Sequence, residues 1–197
     1  MPNITYLPRE VAFINFLGKE QVQILAQNAR AAAEKAGLST ATLSIVDLAT
    51  LRNYTGLTQT HTGERNHQQI NRALRNENRA ELIRLAPLIA TLEAALAKLP
   101  NHVGDVVRAT DLPENVANHI VPGGTYSDAG FMSTAIGETG FKGKYMFYIK
   151  SRTGKWIEPF SFYPEQKEVL YPPEKEFTIK DVEEGLNNKI KVWLEEV

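Results

Sequence analysis

The stretch LEAALAKLPNHVGDVVRAT, residues 92–110, changes its period in the middle. As far as Leu99 the apolar side chains return at steps of three and four, the spacing of one helix face. Pro100 lacks an amide donor and closes that segment. From Val103 to Thr110 the run turns β-branched, as a strand requires. Upstream of this junction the pattern is helical. Residues 19–36 place Val22, Leu25, Ala26, Ala29, Ala32 and Ala33 on one face before Gly37. Short helices are predicted over 45–52 and 66–76, and a long one over 79–99 in which Pro87 should cause a kink or a split. Downstream, residues 131–136, 144–151, 156–160, 168–171, 177–180 and 189–196 read as strands. Gly154 predicts a hairpin and Pro172-Pro173 a turn. Helices followed by strands indicate an α+β fold rather than alternating βαβ units. One domain over 1–197 is expected, with a mainly helical part at 1–100 and a strand-rich part at 101–197. Residues 1–53 are the least explained.

Composition narrows the chemistry. The chain has 197 residues, 22 basic and 23 acidic side chains and no cysteine. Thiolate nucleophiles, disulfide frameworks and cysteine-held metals are thereby excluded. A net charge of −1 argues against bulk attraction to nucleic acid or anionic membrane. No basic leader followed by an apolar stretch opens the chain, and no run approaches the roughly 18 apolar residues of a membrane span. The histidines His61, His67, His102 and His119 lack the spacing of a metalloprotease helix. Gly123-Gly124 lacks the rest of a phosphate loop. One biased segment stands out at 139–157, where Lys142, Lys144, Lys150, Arg152 and Lys155 interleave with aromatic residues. That composition suits a nucleic-acid face, but an amphipathic hairpin with its aromatics in the core and its lysines in water is the preferred reading.

Three segments carry chemistry when taken in order. Arg108 lies near the end of an apolar strand; Gly130-Phe131-Met132-Ser133-Thr134-Ala135 opens another; Glu165-Gln166-Lys167-Glu168-Val169-Leu170-Tyr171-Pro172-Pro173 sets a carboxylate at the start of a third. Together with Ile70-Asn71-Arg72-Ala73-Leu74-Arg75 and Leu99-Pro100, they resemble the arginine–serine–glutamate class of mono-ADP-ribosyltransferases, which includes bacterial exotoxins. The resemblance runs from about residue 70 to the end of the chain.

Membership of that class implies helices packed on a two-sheet β-sandwich, and NAD as substrate with no metal. It implies Arg108 as the pyrophosphate ligand, because a guanidinium fork suits paired oxygens. Glu168 would stabilise the positive charge of an oxocarbenium-like state as the nicotinamide–ribose bond breaks. Ser133 would orient that carboxylate, with Thr134 beside it and Phe141 stacking on the cofactor. Lys142 and Lys144 are further candidates for phosphate contact. Gln166, Phe162 and Tyr163 fall where the family recognises its acceptor. Glu174 and Glu176 also spell Glu-x-Glu, but they follow Pro172-Pro173 and are read as a solvated turn. Two departures stand out: Ala135 where the family commonly has a third hydroxyl, and Gln166 where arginine-modifying members carry Glu. The second disfavours an arginine acceptor and favours Asn or Gln, since an amide pairs with an amide. A protein acceptor is expected first and nucleic acid second; NAD hydrolysis and a silent interaction module are the remaining readings. The class further implies secretion or injection into a target cell, action in its cytoplasm, and a cognate immunity protein.

Overall fold

A computed structural model describes residues 6–56, 66–137 and 142–197. They form two compact units, one of Met1–Leu99 with Pro159–Pro164, the other of Pro100–Glu158 with Glu165–Val197.

The first unit is helical: α1 (Pro8–Leu17), α2 (Lys19–Lys35), α3 (Ile45–Tyr54), α4 (His67–Arg75) and α5 (Arg79–Lys98). α3 is buried along almost its whole length, including Asp47, Thr50 and Asn53. It packs against α2, α5 and α1. A capping box opens it: Asp47 N donates to Ser44 Oγ at 3.1 Å, and Ser44 N donates to Asp47 at 2.7 Å. Burying the Asp47 carboxylate is made tolerable by Lys98 Nζ at 2.5 Å. The predicted helices at 19–36, 45–52 and 66–76 are found within two residues of their expected ends. α5 runs unbroken through Pro87 to Lys98 instead of splitting there.

The second unit holds β1 (Gly104–Thr110), the short α6 (Glu114–Ala117), β2 (Thr125–Ser127), β3 (Met132–Ile136), β4 (Tyr145–Ser151), β5 (Lys155–Trp156), β6 (Glu168–Tyr171), β7 (Glu176–Glu184) and β8 (Ile190–Glu196). The α+β class stands, but the expected pair of sheets becomes one. Hydrogen bonding is continuous through eight strands in the order β2-β7-β8-β4-β1-β3-β6-β5. This single sheet curls, so that strands remote in its order come into contact. Tyr171 of β6 and Phe177 of β7, far apart in the strand order, meet edge to face with centroids 5.2 Å apart. Val106, Phe147, Val169, Tyr171, Phe177, Ile179 and Val192 all join one buried cluster. A bulge between Ile179 and Asp181 accompanies the bend.

Two local expectations are corrected. The turn at Gly154 is no hairpin: β4 pairs with β1 and β8, whereas β5 pairs with β6. Residues 156–160 are strand only to Trp156, then a 3-10 turn over Glu158–Phe160. The biased segment resolves mostly into the hairpin-like alternative in its burial. Tyr145 and Phe147 lie in the core while Lys142, Lys144, Lys150 and Arg152 are exposed. Tyr148 is half-buried and stacks on Trp193, with centroids 5.4 Å apart.

Candidate active site

The site grows from the pairing of β3 with β6. Ser133 lies opposite Leu170, and Ala135 opposite Glu168. Directly opposed residues share a face, as do residues two apart, so Ser133 and Glu168 are diagonal neighbours on one side of the sheet. The Ser133 hydroxyl accordingly hydrogen-bonds the Glu168 carboxylate. Thr134 points the other way, and its hydroxyl donates to the Val169 carbonyl at 2.7 Å. It is buried and ties β3 to β6 rather than sharing the face of Ser133 and Glu168.

Glu168 enters its strand from an unusual backbone. Pro164–Gln166 form a 3-10 turn, and Lys167 follows with φ at 48°, a left-handed conformation that costs a non-glycine residue roughly 1–2 kcal/mol. The Lys167 carbonyl is held by Ile136 N at 3.1 Å, and the Glu168 carbonyl by Ile157 N at 3.0 Å. These bonds deliver the Glu168 side chain to a place where it is 7% exposed. Burial drives its pKa from 4.5 up to about 7, and the Ser133 hydrogen bond and the Arg108 charge oppose that rise without cancelling it.

Arg108 arrives from β1. The paired residues of β1 and β3 are Val106 with Ile136 and Val107 with Ala135, so the ladder ends one residue before the arginine. Where the strands part, Arg108 Nη1 donates to the Ser133 carbonyl at 2.8 Å. Nη2 lies 3.5 Å from Asp128 Oδ2, in a pair whose side chains are 15% and 7% exposed. Nε has no partner among the described residues. Asp128 is a residue that the sequence motifs do not single out. Its other oxygen accepts from Gly130 N at 2.9 Å, the Asx turn that starts the chain into β3. Asp-Ala-Gly before a strand is the signal that could have found it.

The remaining expected residues are dispersed. Gln166 is half-buried two positions before Glu168. Phe162 and Tyr163, also half-buried, belong to the helical unit through the segment Pro159–Pro164. Phe141 lies outside the described residues, and Lys142 and Lys144 are exposed. Glu174 and Glu176 are exposed on the turn into β7, away from any such burial as Glu168 has. Among the described residues no three His, Cys, Asp or Glu side chains gather as a metal site. No described helix is long and apolar enough to cross a membrane.

A hydroxyl-oriented, buried carboxylate beside a partly buried guanidinium is suited to stabilising a cationic sugar near a pyrophosphate. Comparison with known proteins agrees. NAD(+)--protein-arginine ADP-ribosyltransferase Tre1 of Serratia proteamaculans (strain 568) is 33% identical over 179 residues, covering 87% of this chain and 37% of that protein. Its namesake from Pseudomonas putida (strain GB-1) is 35% identical over 130 residues, 61% of this chain and 24% of that one. The chain thus spans between about a quarter and little more than a third of the length of these two relatives. Among solved structures, the type III effector XopAI from Xanthomonas axonopodis pv. citri superposes with a TM-score of 0.78 at 18% identity, over 98% of this chain and 89% of that one. Exoenzyme S from Pseudomonas aeruginosa, in complex with human 14-3-3 protein beta and bound to carba-NAD, does so with 0.69 at 20% identity, over 95% and 88%. These two likenesses speak for the fold. Residues 47–197 match the sequence model of one family over most of the chain, and the protein belongs to the NAD:arginine ADP-ribosyltransferases.

Proposed function

We propose that this chain transfers ADP-ribose from NAD to a side chain of an acceptor protein, with release of nicotinamide. The observation that carries the reading is the buried Glu168 carboxylate, hydrogen-bonded by Ser133 and facing the charge of Arg108. In this reading Arg108 receives the pyrophosphate, and Asp128 and the Ser133 carbonyl orient its fork. Glu168 accepts a hydrogen bond from a ribose hydroxyl and stabilises positive charge at C1′ while the C1′–nitrogen bond breaks. Ser133 fixes the carboxylate's rotamer, and Thr134 supports the strand. The acceptor nitrogen then bonds C1′ and releases its proton. Gln166, Phe162 and Tyr163 meet the acceptor.

The finer question is which side chain is modified. The Gln-x-Glu pattern favours an amide, while the relatives bear arginine in their names. We take arginine as the first choice, because the Gln166 amide oxygen can accept a guanidinium N–H without itself acting as a base. Mass spectrometry of the modified peptide decides between arginine and Asn or Gln. By analogy with XopAI, named as a type III effector, the chain acts as the toxin domain of a protein delivered into another cell, where a cognate immunity protein would restrain it.

The test is transfer of labelled ADP-ribose from NAD in a lysate, with the native chain and with Glu168→Ala. Label on protein from the native chain, lost in the variant, is the expected result. Equal labelling by both removes Glu168 from the catalytic role. Label that survives protease and disappears with nuclease transfers the reading to a nucleic-acid acceptor.

A further inference from the structure

Arg52 stands in the last turn of α3, and its contacts converge on a single distant segment. Nη1 donates to the Phe160 carbonyl at 3.2 Å and also to the Ser161 carbonyl. The guanidinium carbon lies 3.9 Å from the centre of the Phe162 ring. Next to it, Thr55 Oγ1 accepts from Phe162 N at 3.2 Å and donates to the Arg52 carbonyl at 3.0 Å. Ser161 is buried, and its hydroxyl accepts from Tyr163 N at 2.9 Å. All of these groups lie within the helical unit.

The arrangement fixes more than a backbone. Two successive carbonyls on one nitrogen set the course of the chain at 160–161, and the stacked guanidinium sets the plane of the Phe162 ring. Thr55 clamps the amide of the same residue. Three consecutive residues are therefore held from the end of α3, four to six positions before the Gln166–Glu168 pair begins. Such restraint exceeds what a connecting loop needs. Loops that bind are characteristically carried on a rigid scaffold that sets their shape. A side chain that merely filled space here would have no use for a charged donor shared by two carbonyls and stacked on a ring.

We propose that Arg52, assisted by Thr55, is a positioning residue that holds Phe160–Tyr163 in the shape that receives the acceptor protein, so that transfer depends on it far more than cleavage of NAD does. The inference rests on the reading that Phe162 and Tyr163 meet the acceptor. NAD cleavage without acceptor needs only water at C1′: the C1′–nitrogen bond breaks, a C1′–oxygen bond forms, and ADP-ribose, nicotinamide and a proton are released. That reaction draws on Arg108, Ser133 and Glu168, whereas the hydrogen bonds and ring contact of Arg52 go to Phe160, Ser161 and Phe162.

The experiment measures two rates for each variant: nicotinamide release from NAD alone, and incorporation of labelled ADP-ribose into lysate protein. Arg52→Met keeps length and removes charge and fork; it should lower the ratio of transfer to hydrolysis at least tenfold. Arg52→Lys keeps the charge without the planar group that stacks on Phe162 and should fall at least threefold. Thr55→Val deletes one tether with little change in volume and should lower the ratio in the same direction, which keeps the test decisive if Arg52→Met does not fold. An unchanged ratio in the folded variants, whether both rates persist or both fall together, overturns the inference. Failure of the underlying reading looks different. A native chain that cleaves NAD but labels no protein removes the acceptor role and the inference with it. A Glu168→Gln chain that still cleaves NAD removes only the role of Glu168.

Discussion

Replacing Glu168 by Gln exchanges a buried group that ionises for one of equal size that cannot. In the folded chain the carboxyl titrates at about 7 instead of 4.5 because burial disfavours its charged form. A folded pKa above the unfolded one means stability that is fully present below 4.5 and is lost as pH rises toward 7. At about 1.4 kcal/mol per pH unit, the span from 4.5 to about 7 amounts to roughly 3 kcal/mol withheld from the native chain at pH 7 and above. Glu168→Gln escapes that loss and keeps a hydrogen-bond acceptor for Ser133. Denaturant unfolding of both proteins from pH 4 to pH 8 should therefore give nearly equal stabilities at pH 4, and a gap of about 3 kcal/mol in favour of the variant by pH 7. For a chain of this size the gap corresponds to roughly 6–12 °C in Tm. The stabilised variant should be inactive toward NAD, as expected where a site holds a charge at a cost to the fold. Native and variant curves that stay within about 0.5 kcal/mol of each other at every pH would refute the claim that burial governs this carboxyl.

Three further expectations follow from neighbouring residues. Ala135 lies directly across from Glu168, so Ala135→Ser adds a second hydroxyl to the face of the carboxylate; the acid limb of kcat/KM for NAD should move down by about 0.5–1 pH unit, and an unmoved limb would mean the new hydroxyl bonds elsewhere. Asp128→Asn keeps an acceptor for Gly130 N but withdraws the charge beside Arg108. Equilibrium unfolding should show a loss of about 1–2 kcal/mol and steady-state kinetics a KM for NAD raised several-fold, whereas an unchanged KM would leave Arg108 oriented by the Ser133 carbonyl alone. At Gly154 an added Cβ would meet Val169 Cγ1 at 2.6 Å, Ser151 Oγ at 2.8 Å and Tyr171 Cζ at 2.9 Å. Gly154→Ala should thus destabilise by roughly 1–3 kcal/mol in thermal or denaturant unfolding, and native-like stability would show that these three neighbours can give way.

Much of the fold and the site is legible from the residues alone, for identifiable reasons. The helix-to-strand junction at Pro100 shows in the sequence because both periods are strong on either side of it. Ser133, Glu168 and Arg108 can be singled out because each lies in a strand within a short, recognisable phrase. The first helix escapes notice although Pro8 stands at its first position and Glu10 caps Leu7 N at 2.8 Å; its apolar residues are spread around the helix and give no face. β2 is three residues long, too short to announce itself. The misread turn at Gly154 has a different cause: glycine marks close approach as well as hairpins, and here the crowding around its Cα requires it. The single folded sheet cannot be read at all, since strand order is a property of pairs distant in the chain. Arg52 is the clearest such case. A basic residue in a last helical turn is unremarkable locally, and its partners lie more than a hundred residues away.

The place of β8 in the sheet has a consequence for biosynthesis. Although formed by residues 190–196, it lies third in the strand order, between β7 and β4. Until it pairs, β2 and β7 are cut off from the five strands that carry Arg108, Ser133 and Glu168. Phe147 and Tyr171 would then lack Val192 and Leu194, which complete their cluster. A chain still leaving the ribosome thus holds every proposed catalytic side chain before it holds the core that shapes them. Non-local pairing of this kind is slow to form and exposes apolar surface meanwhile. Completion of the sheet therefore waits on a strand that follows Arg108, Ser133 and Glu168 in the chain.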